Sequence, residues 1–235
     1  MDTFYRLLVA AHGFVGLVAL VTFWIAAAAK KGSPLHVRTG KVYMVAMIGI
    51  IVTATPMAAI IGLRGHLVSA LFLGYLAIIT ATGVWLGWRA VKRKRDQAAF
   101  RSGPYSAIAV LNLLAAATVF VAGQRTGSVL LMGFSAVGAI AGVQMLARRL
   151  RPLTETRWWL REHFGAMIGC GVATHVAFLS IGLGRLIEAA GLQAPSWFGM
   201  VAWFLPLALA VVAGIHLNRK YMPKPRPGVA PATAG

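Results

Sequence analysis

Residues 18–52, VALVTFWIAAAAKKGSPLHVRTGKVYMVAMIGIIV, contain the pattern that decides the fold: two long apolar runs separated by a short basic segment. The same alternation continues along the whole chain, and 19 of the 23 Lys and Arg residues fall in four such segments. Positive residues collect in the loops on the cytoplasmic side of a membrane protein. The pattern therefore predicts a chain that crosses a membrane repeatedly. The four segments contain Lys30, Lys31, Arg38 and Lys41; Arg89, Lys92, Arg93, Lys94, Arg95 and Arg101; Arg148, Arg149, Arg151, Arg157 and Arg161; and Arg219, Lys220, Lys224 and Arg226.

The composition agrees with a chain dissolved in lipid. Hydrophobic residues make up 59% of the 235 residues and charged residues 12%, whereas globular domains contain about 25% charged residues. The net charge of +18 is concentrated in short segments beside the apolar runs. We therefore expect anionic lipid headgroups at the cytoplasmic face as partners, and no nucleic acid, because no recognition module accompanies the charge.

Seven stretches of the chain are long and apolar enough to form membrane helices, which need about 20 residues each. They cover residues 4–29, 42–62, 66–88, 105–124, 127–147, 163–184 and 197–217. We predict an all-α polytopic protein of the bacterial inner membrane, with the amino terminus outside and the carboxyl terminus in the cytoplasm. A single transmembrane domain would span residues 1–221. The tail, residues 222–235, is rich in Pro, Gly and Ala, which predicts disorder.

Two local patterns suggest how the helices are packed and anchored. Glycines four residues apart lie on one helix face and let a neighbouring backbone approach closely. We interpret three such pairs as packing positions. The connection before the sixth span carries Trp158 and Trp159 among arginines, which is typical of a segment at the headgroup level. The glycine pairs are Gly83 with Gly87, Gly138 with Gly142, and Gly165 with Gly169.

The spans offer few groups for chemistry. No Asp, Glu, Lys or Arg is expected deep within them, although such groups are typical of proton-coupled transporters and retinal proteins. Cys170 is the only cysteine, and no Walker loop, nucleophile elbow or zinc-protease motif is present. Hydrolytic chemistry therefore has no candidate residues, and the histidines remain.

The six histidines are expected to form two layers. His12, His66 and His175 belong to the outer layer, and His36, His163 and His216 to the inner layer. A transmembrane cytochrome b clamps each haem between two imidazoles on different helices at one depth. We therefore predict that His12 and His175 bind an outer haem b. His36 and His163 would form the corresponding inner site.

The histidines also have a purely structural interpretation. His36, His66 and His216 are expected near interfaces, where an imidazole can contact water or phosphate. His12 and His175 lie deeper and must find a hydrogen-bond partner, which a backbone carbonyl can supply. His163 and His175 are twelve residues apart, about 120° around a helix. The two rings would therefore face different directions, which argues against a model in which the sixth span supplies a ligand to each of two stacked haems.

Three stretches resemble a DUF2306-like family of bacterial membrane proteins, a domain of unknown function. They are HGFVGLVALVTFWIAAAAKKGSPLHVRTGKVYMVAM (12–47), TGVWLGWRAVKRKR (82–95) and REHFGAMIGCGVATHVAF (161–178). The matching features are His12, the KG-x-x-x-H-x-x-x-GKVY junction around His36, and an H-x-x-x-M pair formed by His163 and Met167. The resemblance covers most of the first three spans and the sixth. It implies a polytopic membrane fold and no defined activity.

Haem binding with electron transfer is the leading functional hypothesis, with a quinone or a membrane-complex partner exchanging the electrons. Two alternatives remain open: an accessory subunit of a larger membrane complex, and a small-molecule carrier whose cavity is shaped by helix kinks at Pro56 and Pro206. Met44, Met47 and Met167 permit a copper site, because thioethers bind Cu(I). Methionines at helical spacing are also ordinary core residues.

Overall fold

A computed structural model describes residues 2–151 and 153–222, and all regular structure in these ranges is helical. The residues of the predicted tail from 223 onward lie outside the described ranges. The predicted all-α class is confirmed. The helices are α1 (Asp2–Ala28), α2 (Pro34–Leu63), α3 (Leu67–Lys92), α4 (Gln97–Phe100), α5 (Tyr105–Thr126), α6 (Val129–Leu150), α7 (Trp158–Ala177), α8 (Gly184–Ala189) and α9 (Phe198–Tyr221), with a π-helical stretch, Phe178–Leu183, between α7 and α8.

Seven helical segments in the described ranges are long and apolar enough to cross a membrane. They correspond to α1, α2, α3, α5 with α4, α6, α7 continued through α8, and α9. The connections that follow α1, α3 and α6 and the helix ends beside them, together with the end of α9, carry the described residues of the four basic segments. We call this side of the molecule the basic end. The predicted number of helices long and apolar enough to cross a membrane is thus confirmed.

Helices α3 and α7 occupy the centre of the bundle. Helix α3 packs against α2, α5 and α7, and α7 also contacts α1 and α9. The hairpin pairs α1 with α2 and α5 with α6 form further extensive contacts. Because α7 lies against α1 and α3, the sixth predicted span faces the first and third. This arrangement brings the basic ends of α2, α3 and α7 close together.

Helix α2 begins at Pro34, several residues before the predicted start of the span. Ser33 caps the helix, since its Oγ accepts a hydrogen bond from the backbone N–H of His36 at 3.3 Å. Proline is well suited to the first helical position because it has no N–H to satisfy. His36 therefore lies on the first turn of α2 and not in a loop.

Helix α7 begins at Trp158, which corrects the expected headgroup-level segment. Trp158 is only 4% exposed and packs against Phe100, with 5.0 Å between ring centroids. Phe100 belongs to the short helix α4, which the sequence pattern did not predict. Trp159 is partly exposed, and the Lys94 ammonium lies 5.7 Å from its ring centroid.

Two of the three glycine pairs lie at close helix contacts. A Cβ atom on Gly83 would lie 2.9 Å from Cys170 Sγ, and one on Gly142 would lie 2.8 Å from the carbonyl oxygen of Ala109. Real Cβ atoms almost never approach so closely, so a side chain at either position would displace its neighbour. Gly165 and Gly169 have open space at the corresponding position. The packing interpretation is confirmed for the first two pairs and wrong for the third.

Candidate histidine site

His36 and Lys31 meet at the end of α1. The ring Nδ1 of His36 lies 2.9 Å from the carbonyl oxygen of Ala26, and Lys31 Nζ donates to the same oxygen at 3.1 Å and to that of Ala27. The last carbonyls of a helix have no partner within the helix. His36 and Lys31 supply those partners, which fixes both side chains at the basic end.

His163 is held by α3. Its Nδ1 lies 3.1 Å from the carbonyl oxygen of Gly87. Met167, one turn later on α7, packs its methyl group where a side chain at Gly87 would lie. The H-x-x-x-M pair and Gly87 therefore form one contact between α3 and α7, and a larger residue at position 87 would displace the end of the Met167 side chain.

The predicted inner pair lies in one neighbourhood. His36 and Lys31 both lie in the surroundings of the His163 ring. Lys220, at the end of α9, is likewise close to Lys31. Partial burial, and secondarily the Lys220 ammonium, lower the pKa of Lys31. The structure thus gathers two imidazoles and an ammonium group at the basic end.

The hydrogen-bond partners define the tautomer of these two rings. A backbone carbonyl only accepts, so the Nδ1 atoms of His36 and His163 must carry the hydrogen. In the neutral ring the other nitrogen, Nε2, then has a free lone pair. Neither Nε2 atom has a hydrogen-bond partner among the described residues. Each Nε2 therefore has a lone pair that can accept a hydrogen bond or bind a metal.

His12 is tied to α2 at a different level. Its Nδ1 lies 2.8 Å from Thr53 Oγ1, and the Thr53 hydroxyl itself donates to the carbonyl oxygen of Gly49 at 2.7 Å. The ring nitrogen is therefore the donor to Thr53. Thr53 follows His36 by 17 residues on α2, which corresponds to about 25 Å along the helix. His12 is remote from the inner pair.

His175 has partners at both ring nitrogens. Nδ1 lies 2.7 Å from the carbonyl oxygen of Gly171, and Nε2 accepts a hydrogen bond from the Trp24 indole at 3.0 Å. Phe23 also packs edge-on against the imidazole, with 5.3 Å between ring centroids. His175 has no lone pair left for iron in this arrangement.

The structure does not bring the predicted outer pair together. Trp24, the partner of His175, follows His12 by twelve residues, which is about 18 Å along α1. Two imidazoles bound to one iron must lie at the same depth. Each ring instead makes the kind of local hydrogen bond that the structural interpretation expected.

The remaining candidate ligands are dispersed or packed. His66 and His216 are exposed, and the described ranges contain no group of three or more His, Cys, Asp or Glu residues suited to a metal ion. Met44, Met47 and Met167 do meet in one buried cluster with Cys170. Their described contacts are with packing residues, except that Thr174 donates to Met47 Sδ at 3.4 Å.

Sequence reasoning missed three contributors to these sites: Lys31, Gly87 and Trp24. Lys31 belongs to the KG-x-x-x-H junction, but it was interpreted only as a positive charge that indicates orientation. Gly87 belongs to a glycine pair that was interpreted only as a packing position. Nothing in the sequence links Trp24 to His175, because 151 positions separate them. Their contact depends on α7 packing against α1.

No protein-family model, curated protein or solved structure matches this chain. The resemblance to the DUF2306-like family therefore stays a prediction.

Proposed function

We propose that this protein binds one haem b between His36 and His163 and serves in electron transfer within a bacterial inner membrane. The observation that carries the proposal is the pair of free Nε2 atoms, on two different helices at the basic end. Hydrogen bonding of Nδ1 to a carbonyl is the usual way in which a protein orients a histidine ligand. Haem b supplies the redox-active iron when it is bound.

The number of ligands favours haem over a bare metal ion. A zinc site generally takes three or four protein ligands, whereas a haem, whose porphyrin would already hold the iron, would need at most two from the protein. The inner site offers two imidazoles. Lys31 adds a positive charge beside them, which suits a ligand that carries carboxylates.

The orientation proposed from the basic segments places this site on the cytoplasmic side, with the amino terminus outside. Electrons would then be exchanged with a quinol or a redox partner near that surface. The predicted outer haem does not form part of the proposal, since His12 and His175 lie at different depths.

Absorption spectra of the detergent-purified full chain test the proposal. Oxidised protein should show a Soret band, and reduction with dithionite should sharpen the α and β bands of haem b. His36→Ala and His163→Ala should each abolish the same signal. His66→Ala is the matched control, because its ring is exposed and it lies between α2 and α3, at the end of α2 opposite to His36.

Two results would contradict the proposal. A folded protein that stays colourless after incubation with haemin would show that the inner pair is not a haem site. A haem signal that survives both inner substitutions but disappears in His12→Ala or His175→Ala would place the cofactor elsewhere.

An accessory subunit of a larger membrane complex is the second candidate. A groove of about 520 Å³ lies between α2, α3 and α5 and is lined by Ala58, Ala59, Gly62, Ala70 and Gly74 among others. Small residues let a helix of a partner subunit approach closely in lipid. A colourless chain that cross-links to one membrane protein through a cysteine at Ala59 would favour this function.

A further inference from the structure

A second site lies at the basic end of α3, on a groove of about 470 Å³. Its described lining consists of two indoles and three cations, Trp85, Trp88, Arg89, Lys92 and Arg93. No carboxylate is among them. The groove is therefore positively charged and partly aromatic, and it lies where α3 ends and the basic connection begins.

Arg89 is held rigidly in this groove. Its Nε donates to the carbonyl oxygen of Phe100 at 2.7 Å, and its Nη2 donates to the carbonyl and hydroxyl oxygens of Ser102 at 2.9 and 3.1 Å. The guanidinium carbon also lies 4.8 Å from the centroid of the Trp85 ring. These contacts leave Nη1 without a described partner, so one N–H edge of a fixed cation can receive an anion.

Among the described residues, Lys92 and Arg93 have no carboxylate that neutralises them. Lys92 Nζ lies 4.9 Å from the centroid of the Trp88 ring, and Trp88 is 48% exposed. Asp96, the nearest acid in the sequence, caps α4 by accepting from the N–H of Ala99 at 2.8 Å. In the described ranges, neither cation forms a salt bridge.

We propose that this groove binds the headgroup of an anionic phospholipid, with the phosphate between Arg89, Lys92 and Arg93 and an acyl chain along Trp88. Basic pockets at the cytoplasmic ends of membrane helices bind such headgroups. Tryptophan prefers the boundary between headgroups and acyl chains, and arginine suits the geometry of phosphate oxygens. The site is independent of the two histidines.

Native mass spectrometry of the full chain in detergent tests this proposal with phosphatidylglycerol and phosphatidylcholine that carry the same acyl chains. The chain should retain phosphatidylglycerol selectively. Replacing two cations with Lys92→Gln and Arg93→Gln should weaken its binding about 30-fold, at about 1 kcal/mol for each charge. A chain that instead carries Lys92→Arg and Arg93→Lys keeps both charges and should bind phosphatidylglycerol as the unmodified chain does.

Arg149→Gln with Arg151→Gln is the matched control, because it removes two exposed charges at the same end but outside the groove. It should leave binding within about twofold of the unmodified chain. Equal retention of the two lipids, or equal loss in both double variants, would overturn the site. Displacement of phosphatidylglycerol by an equal concentration of glycerol phosphate would show that a free phosphate, and not a lipid, is the ligand.

Discussion

Gly142 fixes the distance between α5 and α6. A Cβ atom at this position would lie 2.7 Å from Leu113 Cγ and 2.8 Å from the carbonyl oxygen of Ala109. The side chain of Leu113 can rotate, but the backbone of Ala109 cannot move without shifting the helix. We expect Gly142→Ala to lower the free energy of unfolding by about 1–3 kcal/mol, measured by unfolding of the purified chain in mixed detergent micelles.

Gly165→Ala provides the control for this prediction. A Cβ atom at Gly165 has no neighbour within 4 Å, and alanine is the better helix former by about 1 kcal/mol. The variant should be as stable as the unmodified chain or slightly more stable. An equal loss of stability in both variants would mean that the α5–α6 contact is not the cause.

The four-residue spacing predicted the same packing role for Gly142 and Gly165. A four-residue spacing shows that two glycines share a helix face, but not whether another helix lies there. The same limit applies to His12 and His175. Their depth predicted that each must find a hydrogen-bond partner, whereas the partners, Thr53 and Trp24, depend on which helices are neighbours.

At the scale of helices, one buried ion pair connects α6 to α7. Arg148 Nη1 lies 2.7 Å from Glu162 Oε2, and the Glu162 side chain is only 2% exposed. Removing one partner of a buried pair leaves an uncompensated charge, which costs about 3–5 kcal/mol. Arg148→Ala should therefore lower the free energy of unfolding by about this amount in the same micelle assay.

The double variant Arg148→Met with Glu162→Gln should recover much of that loss, because no charge then remains buried. Arg161→Ala serves as the comparison. Its partner, Glu155, is 40% exposed, and Arg161 itself is 30% exposed. A partly exposed pair contributes less than a buried one, so Arg161→Ala should cost less than Arg148→Ala. Equal losses in Arg148→Ala and Arg161→Ala would show that burial does not strengthen the first pair.

Hydropathy predicted which segments are helices, but not where two of them begin. The start of α2 depends on the Ser33 cap and Pro34, and the start of α7 depends on the burial of Trp158 against Phe100. Both starts extend beyond the apolar run. The π-helical stretch Phe178–Leu183 was also unpredicted, because nothing in its composition distinguishes it from the α-helix before it.

At the scale of the whole molecule, the short connections predicted only part of the architecture. Tight turns made α2 and α3, and α5 and α6, neighbours. The contacts of α7 with α1 and α3 join segments that are distant in the chain. These contacts place His163 near His36 and Trp24 beside His175. The sequence therefore predicts which histidines lie near each end of the bundle, but not which of them are neighbours.

The distribution of charge predicts how this bundle is oriented in a membrane. Cys170 is buried, so a Cys170→Ala chain provides a cysteine-free background. Single cysteines at Arg95 and Arg151 lie at the basic end, and those at Gln124 and Glu188 lie at the opposite end; all four positions are exposed. Positive loops stay in the cytoplasm. A membrane-impermeant thiol reagent should therefore label only positions 124 and 188 in spheroplasts, in which the outer membrane is opened and the inner membrane is intact.

Permeabilisation of the inner membrane should then make positions 95 and 151 reactive as well, which would show that those cysteines are accessible and were protected only by their side of the membrane. Labelling of positions 95 and 151 alone in intact cells would show that the orientation is opposite to the predicted one. The proposed haem and lipid sites would then lie at the outer surface. Two predicted spans separate position 95 from 151, and two separate 124 from 188, so the two members of each pair must lie on the same side of the membrane. Labelling of only one member of each pair in intact cells would therefore mean that the number of spans is not seven.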